Sequence, residues 1–317
     1  MNLIASTRNV QSVNSIFMFH FDIVGGCQLR CVGCPNSTLL PKVKQIDLDV
    51  FDACLRNVDV DHVHTLRLFN FGEPLLHQHF SKVLEIVADQ RWKPEHVEIS
   101  TNAQHVYWED FERALSLNVL TKLVVSCDGD ATAASYERLR PPSKWSKFLT
   151  FLDRTSALRD ELDPTLTLAT RSVVQSQRDV RAWQALLHPK GWQTEFRSWK
   201  VLPESAVNMT GRSVEVPSGM CTFVAPSDRF THRYHGALEQ LYVDWDGTVV
   251  PCCVHPRAGE LGDLKVQTAS EVINGEQKQR FVRQMDDDRH AMSICGLCEY
   301  GPPEDPGPSF EDHIPAD

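Results

Sequence analysis

Short apolar runs alternate with stretches of helical period from residue 17 to residue 202, and that alternation leaves few folds open to the chain. Strands are expected over residues 17–23, 65–71, 96–101, 122–127, 166–173 and 194–201. After the second of these, Leu76, Phe80, Val83, Leu84 and Val87 keep one helical face apolar, and near 179–187 Val180, Trp183, Leu186 and Leu187 form a second stripe. Six such βα units bury both faces of a parallel sheet best when it curves, which predicts an α/β chain with a partial (β/α)6 barrel. An open, doubly wound sheet satisfies the same pattern. Either arrangement places chemistry at the carboxyl ends of the strands.

Just past the first expected strand stand Cys27, Cys31 and Cys34 in a Cys-x3-Cys-x2-Cys run. Three thiolates hold a four-iron cubane while leaving one iron free to bind a small molecule, so the spacing points to an iron–sulfur enzyme. A zinc site completed by His20 is the plainer alternative. The chain has ten cysteines, clustered as metal ligands are, which in a reducing compartment favours ligation over disulfides. The second group comprises Cys221, Cys252, Cys253, Cys295 and Cys298; Cys54 and Cys127 are isolated and expected to pack as small buried hydrophobes. The thirteen histidines show no ligand spacing that adds to the case.

A formal net charge of −10 argues against a nucleic-acid partner. No apolar run approaches membrane-spanning length and no signal segment opens the chain, which predicts a cytoplasmic protein with no membrane partner. Pro203, Pro217, Gly219 and Pro226 break the periodicity, so a domain boundary is placed there. The expected organisation is an extension over 1–15, the barrel over 16–202, a small iron–sulfur domain over 203–300 built from a β-hairpin plus helix, and a disordered acidic, proline-rich tail over 301–317.

Over residues 16–300 these features resemble the radical S-adenosylmethionine enzymes that carry a C-terminal auxiliary-cluster domain of the SPASM/Twitch type. The resemblance implies that Cys27, Cys31 and Cys34 ligate a [4Fe-4S] cluster whose free iron chelates S-adenosylmethionine. A flavodoxin or ferredoxin-type reductant would drive cleavage to a 5′-deoxyadenosyl radical. Asn70-Phe71-Gly72-Glu73-Pro74 resembles the family's GGEP segment, so Gly72, Glu73 and Pro74 are implied in holding the methionine ammonium. Asn102 closes the polar end of the third strand, Ser126 and Asp128 are implied in reaching ribose hydroxyls, and Arg140 in pairing with the methionine carboxylate. Local readings compete: Glu73 as a helix cap, Ser126 and Asp128 as a turn into Gly129, Arg140 as a surface cation. The family's bulky residue before the third cysteine is replaced by Gly33, so adenine packing must come partly from elsewhere.

In the C-terminal group, residues 241–245, the Asp246-Gly247 turn and the Gly-x4-Cys segment ending at Cys252 read as a hairpin. The resemblance implies one auxiliary [4Fe-4S] cluster on Cys221, Cys252, Cys295 and Cys298, with Cys253 able to replace Cys252; four thiolates would also serve a structural zinc. The expected reaction is hydrogen abstraction from a small carbohydrate-like or aminocyclitol-like substrate, followed by oxidation or epimerisation, with Cys253 the candidate hydrogen donor for the latter. The alternatives are modification of a ribosomal peptide, against which the short stretch before the first strand counts, and a non-enzymatic iron–sulfur or zinc-binding protein. Arg171, Arg197, Trp199 and Lys200 lie near strand ends, where they suit either an anionic or sugar-like group or structural ion pairs.

Overall fold

The computed structural model describes residues 13–39, 41–198, 237–253, 255, 257–296 and 314. Its strands are β1 (Ser15–Phe21), β2 (Val24–Gly25), β3 (Lys44–Gln45), β4 (His62–Arg67), β5 (His96–Thr101), β6 (Lys122–Asp128), β7 (Thr167–Val174), β8 (Gln193–Ser198), β9 (Ala237–Val243), β10 (Thr248–Val250) and β11 (Gly262–Asp263). One sheet runs β11-β10-β9-β1-β4-β5-β6-β7-β8, parallel from β9 to β8 and antiparallel in the β9-β10-β11 hairpins. Because β8 and β11 are its two edges, the sheet does not close on itself.

Alternation along β1 shows how the layers form. Phe19 and Phe21 turn towards Phe51 and Trp92, with ring centroids 5.0 Å apart for Phe21–Phe51 and 6.1 Å for Phe19–Trp92. The intervening His20 faces the other way, stacked on Tyr242 at 4.6 Å. That second face is polar: Arg67 bonds Glu98, Lys122 and Arg171 both bond Glu195, and Ser100 meets Ser126. Parallel strands thus bury apolar residues under helices on one face and line the other with charged and hydroxyl groups.

Both amphipathic stripes become helices. Helix Phe80–Asp89 buries Phe80, Val83, Leu84 and Val87, while helix Gln177–Leu187 buries Val180, Trp183 and Leu187 and opens with a Ser176/Asp179 capping box. Strand β4 departs from the expected 65–71 by ending at Arg67, so Phe69 to Phe71 are loop, not strand. The expected hairpin exists, and β9 pairs parallel with β1 from Ser15↔Ala237 to Phe21↔Val243, extending the barrel sheet. Cys54 and Cys127 are fully buried, as expected. Among the described residues no helix is long and apolar enough to cross a membrane.

Candidate active site

Beyond the carboxyl end of β1 the chain forms the short β2–β3 ribbon and then the cysteine loop. Arg30 N donates to Pro141 O at 2.6 Å and Val32 N to Leu139 O at 2.8 Å, docking the loop on the segment that carries Arg140. Cys34 N closes a turn on Cys31 O at 3.2 Å, with Gly33 at φ +78°, a left-handed conformation that a bulky residue adopts only with strain. That accounts for the glycine at this position.

Burial, and then the neighbouring charges of Glu73 and Cys34, push the Cys27 thiol up to about 12; burial pushes Cys31 up to about 12 and raises Cys34 as well. Thiols so placed become thiolates only when a cation compensates them. One zinc would need sulfurs about 3.8 Å apart, from bonds of about 2.3 Å in a tetrahedron. Among the described residues the one set of three or more His, Cys, Asp or Glu ligand atoms lying within 4.8 Å of one another is His64, Glu95 and His96. The three sulfurs therefore do not all lie within that distance of one another, and His20 does not join them. This donor set fits an iron–sulfur cage.

A continuous polar network ties the cysteine loop to the ends of β4 and β5. Asn102 Nδ2 donates to Cys27 Sγ at 3.3 Å and to Gln28 Oε1 at 3.2 Å, and Gln28 Nε2 returns a bond to Asn102 Oδ1 at 3.0 Å. Asn102 N donates to Glu73 Oε2 at 2.7 Å, and Thr101 Oγ1 to Glu73 Oε1 at 2.5 Å. Glu73 also caps the turn Pro74–Leu76 through Leu75 N at 3.2 Å, so the capping reading holds, with two further bonds added to it. Burial raises its carboxyl to about 7 against the pull of these donors. Gln28 was not singled out from sequence, since a lone amide beside a cysteine carries no signal.

Asp22 was missed for the same reason, and it builds the Gly-Glu-Pro loop. Its carboxylate accepts from Asn70 N at 3.2 Å, Phe71 N at 2.7 Å and Gly72 N at 3.1 Å and 3.0 Å, while its own N–H donates to Val243 O at 2.8 Å. Gly72 passes so close to β2 that a Cβ would lie 1.4 Å from Val24 O. Close backbone approach is thus a requirement at this position. Burial raises Asp22 to about 7, and Asp244, at the end of the adjacent β9, is raised to about 7 by burial and by Asp22. Two carboxyl groups therefore share the junction of barrel and hairpin.

Asp128 and Arg140 meet each other. Arg140 Nη1 donates to Asp128 Oδ2 at 2.5 Å, and Asp128 Oδ1 accepts from Val173 N at 3.1 Å, both side chains being buried. Arg140 is thereby no surface cation; its Nε has no hydrogen-bond partner and Cys31 is a close charge neighbour. Ser126 turns to the polar face and bonds Ser100 at 3.2 Å. Pro74 begins the capped turn. Arg171 is bound to Glu195 at 2.8 Å. Cys252 and Cys253 sit half-buried after β10, and Cys295 is half-buried against the core. Cys221, Cys298, Trp199 and Lys200 lie outside the described residues, as do the boundary over 203–230 and nearly all of the 301–317 tail. The hairpin turn reaches the cysteine loop's base: Gly25 has no Cβ because the Trp245 ring occupies that space, and Lys44 Nζ lies 4.8 Å over the same ring.

Residues 235–299 match the family model of SPASM, an iron-sulfur cluster-binding domain. The chain is similar to BtrN solved in complex with AdoMet and 2-DOIA, at 15% identity and a TM-score of 0.54 over 90% of this chain and 92% of that one. It is also similar to anSMEcpe with bound AdoMet, at 15% identity and a TM-score of 0.58 over 90% of this chain and 88% of that one. No curated protein sequence matches. The fold is therefore the partial barrel of the radical S-adenosylmethionine enzymes, and it carries a SPASM domain at its C-terminal end. The iron–sulfur expectation from sequence agrees with the SPASM match.

Proposed function

We propose that this chain is a radical S-adenosylmethionine enzyme that oxidises or epimerises a small, polar, hydroxyl-bearing substrate, carbohydrate-like or aminocyclitol-like, seated on the concave face of the barrel. The observation that carries the reading is the network joining Cys27, Asn102 and Glu73 at the strand ends, directly above a sheet face lined by Arg67, Glu98, Ser100, Ser126, Lys122 and Arg171. When bound, the cluster of Cys27, Cys31 and Cys34 with S-adenosylmethionine supplies hydrogen-atom abstraction, and the SPASM cluster supplies a one-electron acceptor.

The chain's own residues orient and exclude. The 70–74 loop, pinned by Asp22, holds the buried Glu73 carboxyl beside Asn102 and the cysteine loop, where it would receive an ammonium. Arg140 brings a buried cation next to the cysteine loop, where a ligand carboxylate would compete for it with Asp128. A substrate on the concave face would meet ion pairs that are only half-buried, and hydroxyl groups exchange well with such partners. The similarity to BtrN, solved with AdoMet and 2-DOIA, supports a small-molecule substrate; that to anSMEcpe keeps peptide modification as the rival. Cys253 is the hydrogen donor if the outcome is epimerisation.

The test is anaerobic incubation of cluster-loaded protein with reductant, S-adenosylmethionine and a panel of deuterated polyols and aminocyclitols. Deuterium transfer into 5′-deoxyadenosine with a ketone or an inverted carbinol as product is the expected result. Cleavage stimulated by peptides alone would overturn the substrate class, and absence of any cleavage the enzyme reading. Undiminished epimer formation by Cys253→Ala would remove the donor role.

A further inference from the structure

At the opposite end of the barrel from the cysteine loop, the amino ends of β4 and β5 bring His62, His64, Glu95 and His96 together, and we propose that His64, Glu95 and His96 form a binding site for one divalent transition ion of the zinc class, separate from both cysteine groups. The ligand atoms of these three residues all lie within 4.8 Å of one another, and no other such group exists among the described residues. Two imidazoles and a carboxylate are a donor set that zinc takes readily, with water in the remaining position. Bonds of about 2.0–2.1 Å need donors about 3.3 Å apart, a contraction of roughly 1.5 Å at most, and Glu95 and His96 are exposed and free to make it.

The surroundings hold the donors in a ligating pose. His64 Nδ1 bonds Thr65 Oγ1 at 2.8 Å, which leaves Nε2 to face Glu95 Oε2 at 3.6 Å. Fixing one ring nitrogen so that the other can ligate is the usual role of a metal site's outer hydrogen bonds. The His64 ring is stacked on Phe17 at 4.7 Å between centroids and meets the His96 ring edge-on at 5.1 Å. Glu95 is fixed at its backbone by a bond from its N–H to Val63 O at 3.2 Å, and its other oxygen, Oε1, lies 2.9 Å from His62 Nε2. Register brings the two strands together here, since Thr65, the neighbour of His64, pairs with His96 across β4 and β5. Sequence spacing hides all of this because His64 and His96 are brought together only by parallel pairing around a helix.

The site would tie two parallel strands at a face remote from the proposed chemistry, so its loss should spare the clusters. The experiment uses protein with both cysteine groups loaded with iron and sulfide, so that zinc cannot report on free thiols. After equilibration with zinc and gel filtration, metal analysis should find about one zinc per chain in wild type and at least a tenfold loss of zinc affinity in His96→Ala and in Glu95→Gln, with iron and sulfide unchanged. His96 is exposed, so this variant tests the site even if His64→Ala, which removes a ring stacked on Phe17, folds poorly. Titration calorimetry with zinc should show a matching loss of the one-site isotherm. Zinc content that is the same in wild type and His96→Ala, or absent from wild type at micromolar zinc, overturns the proposal.

Discussion

Replacing Asp22 by Asn gives a prediction whose size depends on pH. The carboxylate accepts three backbone N–H groups with two oxygens, whereas an amide offers one oxygen and turns an NH2 towards donors. At least one of the Asn70 or Phe71 N–H groups is then buried without a partner, at a cost of about 1–3 kcal/mol. The aspartate, however, has its own cost. Burial lifts its carboxyl to about 7 in the folded chain from 3.8. The folded state therefore binds the extra proton, and this contribution to stability is full below the unfolded value and is lost as pH rises to about 7. Between pH 5.5 and pH 7 wild type loses on the order of 2 kcal/mol from this group, at about 1.4 kcal/mol per pH unit, and nothing further above pH 7. The amide of the Asp22→Asn variant does not titrate. The deficit of that variant against wild type is thus expected to be about 2 kcal/mol larger at pH 5.5 than at pH 8, a difference of roughly 4–8 °C in melting temperature at about 2–4 °C per kcal/mol. Melting curves of both proteins across that range are the assay. A deficit that widens with pH would show Asp22 to be a stabilised carboxylate, and the account of its burial would be wrong.

Other consequences can be read as directly. Gly72→Ala places a Cβ against Val24 O, and the 70–74 loop must move; S-adenosylmethionine affinity by equilibrium dialysis should fall at least tenfold while the iron content of Cys27, Cys31 and Cys34 is kept, and an unchanged affinity would free the loop from that role. Arg140→Ala strands the buried Asp128 and should cost about 3–5 kcal/mol in denaturant unfolding, with Arg140→Met/Asp128→Asn recovering more than half; additive single effects would deny the pair any coupling. Substituting Cys27, Cys31 and Cys34 together by Ala should lower anaerobically reconstituted iron from about eight to about four per chain, and a fall from about four to none would leave the SPASM domain without a cluster.

What was legible in the chain is what local physics writes into neighbouring residues. The cysteine spacing, the Gly-Glu-Pro segment and the apolar stripes of residues 80–87 and 180–187 each constrain a few adjacent positions, and both stripes form the helices the sequence places there. Strand β4 was misjudged because Phe69 and Phe71 carry strand-forming side chains, yet the backbone N–H groups of residues 70–72 go to Asp22 instead of a neighbouring strand. Helix Trp145–Leu162 escaped notice since it buries just Phe148, Phe151, Leu152 and Thr155 of its length and carries charges around the rest. The pairing of β9 with β1 had no local signature, being a parallel contact between segments more than two hundred residues apart. That pairing has a consequence for the site. It sets Asp22 and Asp244 side by side at adjacent strand ends, where each raises the cost of ionising the other, and it lets one aspartate hold the Gly-Glu-Pro loop by its side chain and the SPASM hairpin by its backbone. A shift of the hairpin along β1 would therefore reach the 70–74 loop through a single residue, by direct hydrogen bonds at both ends. Barrel site and auxiliary domain are mechanically joined at Asp22, a position that no motif marks.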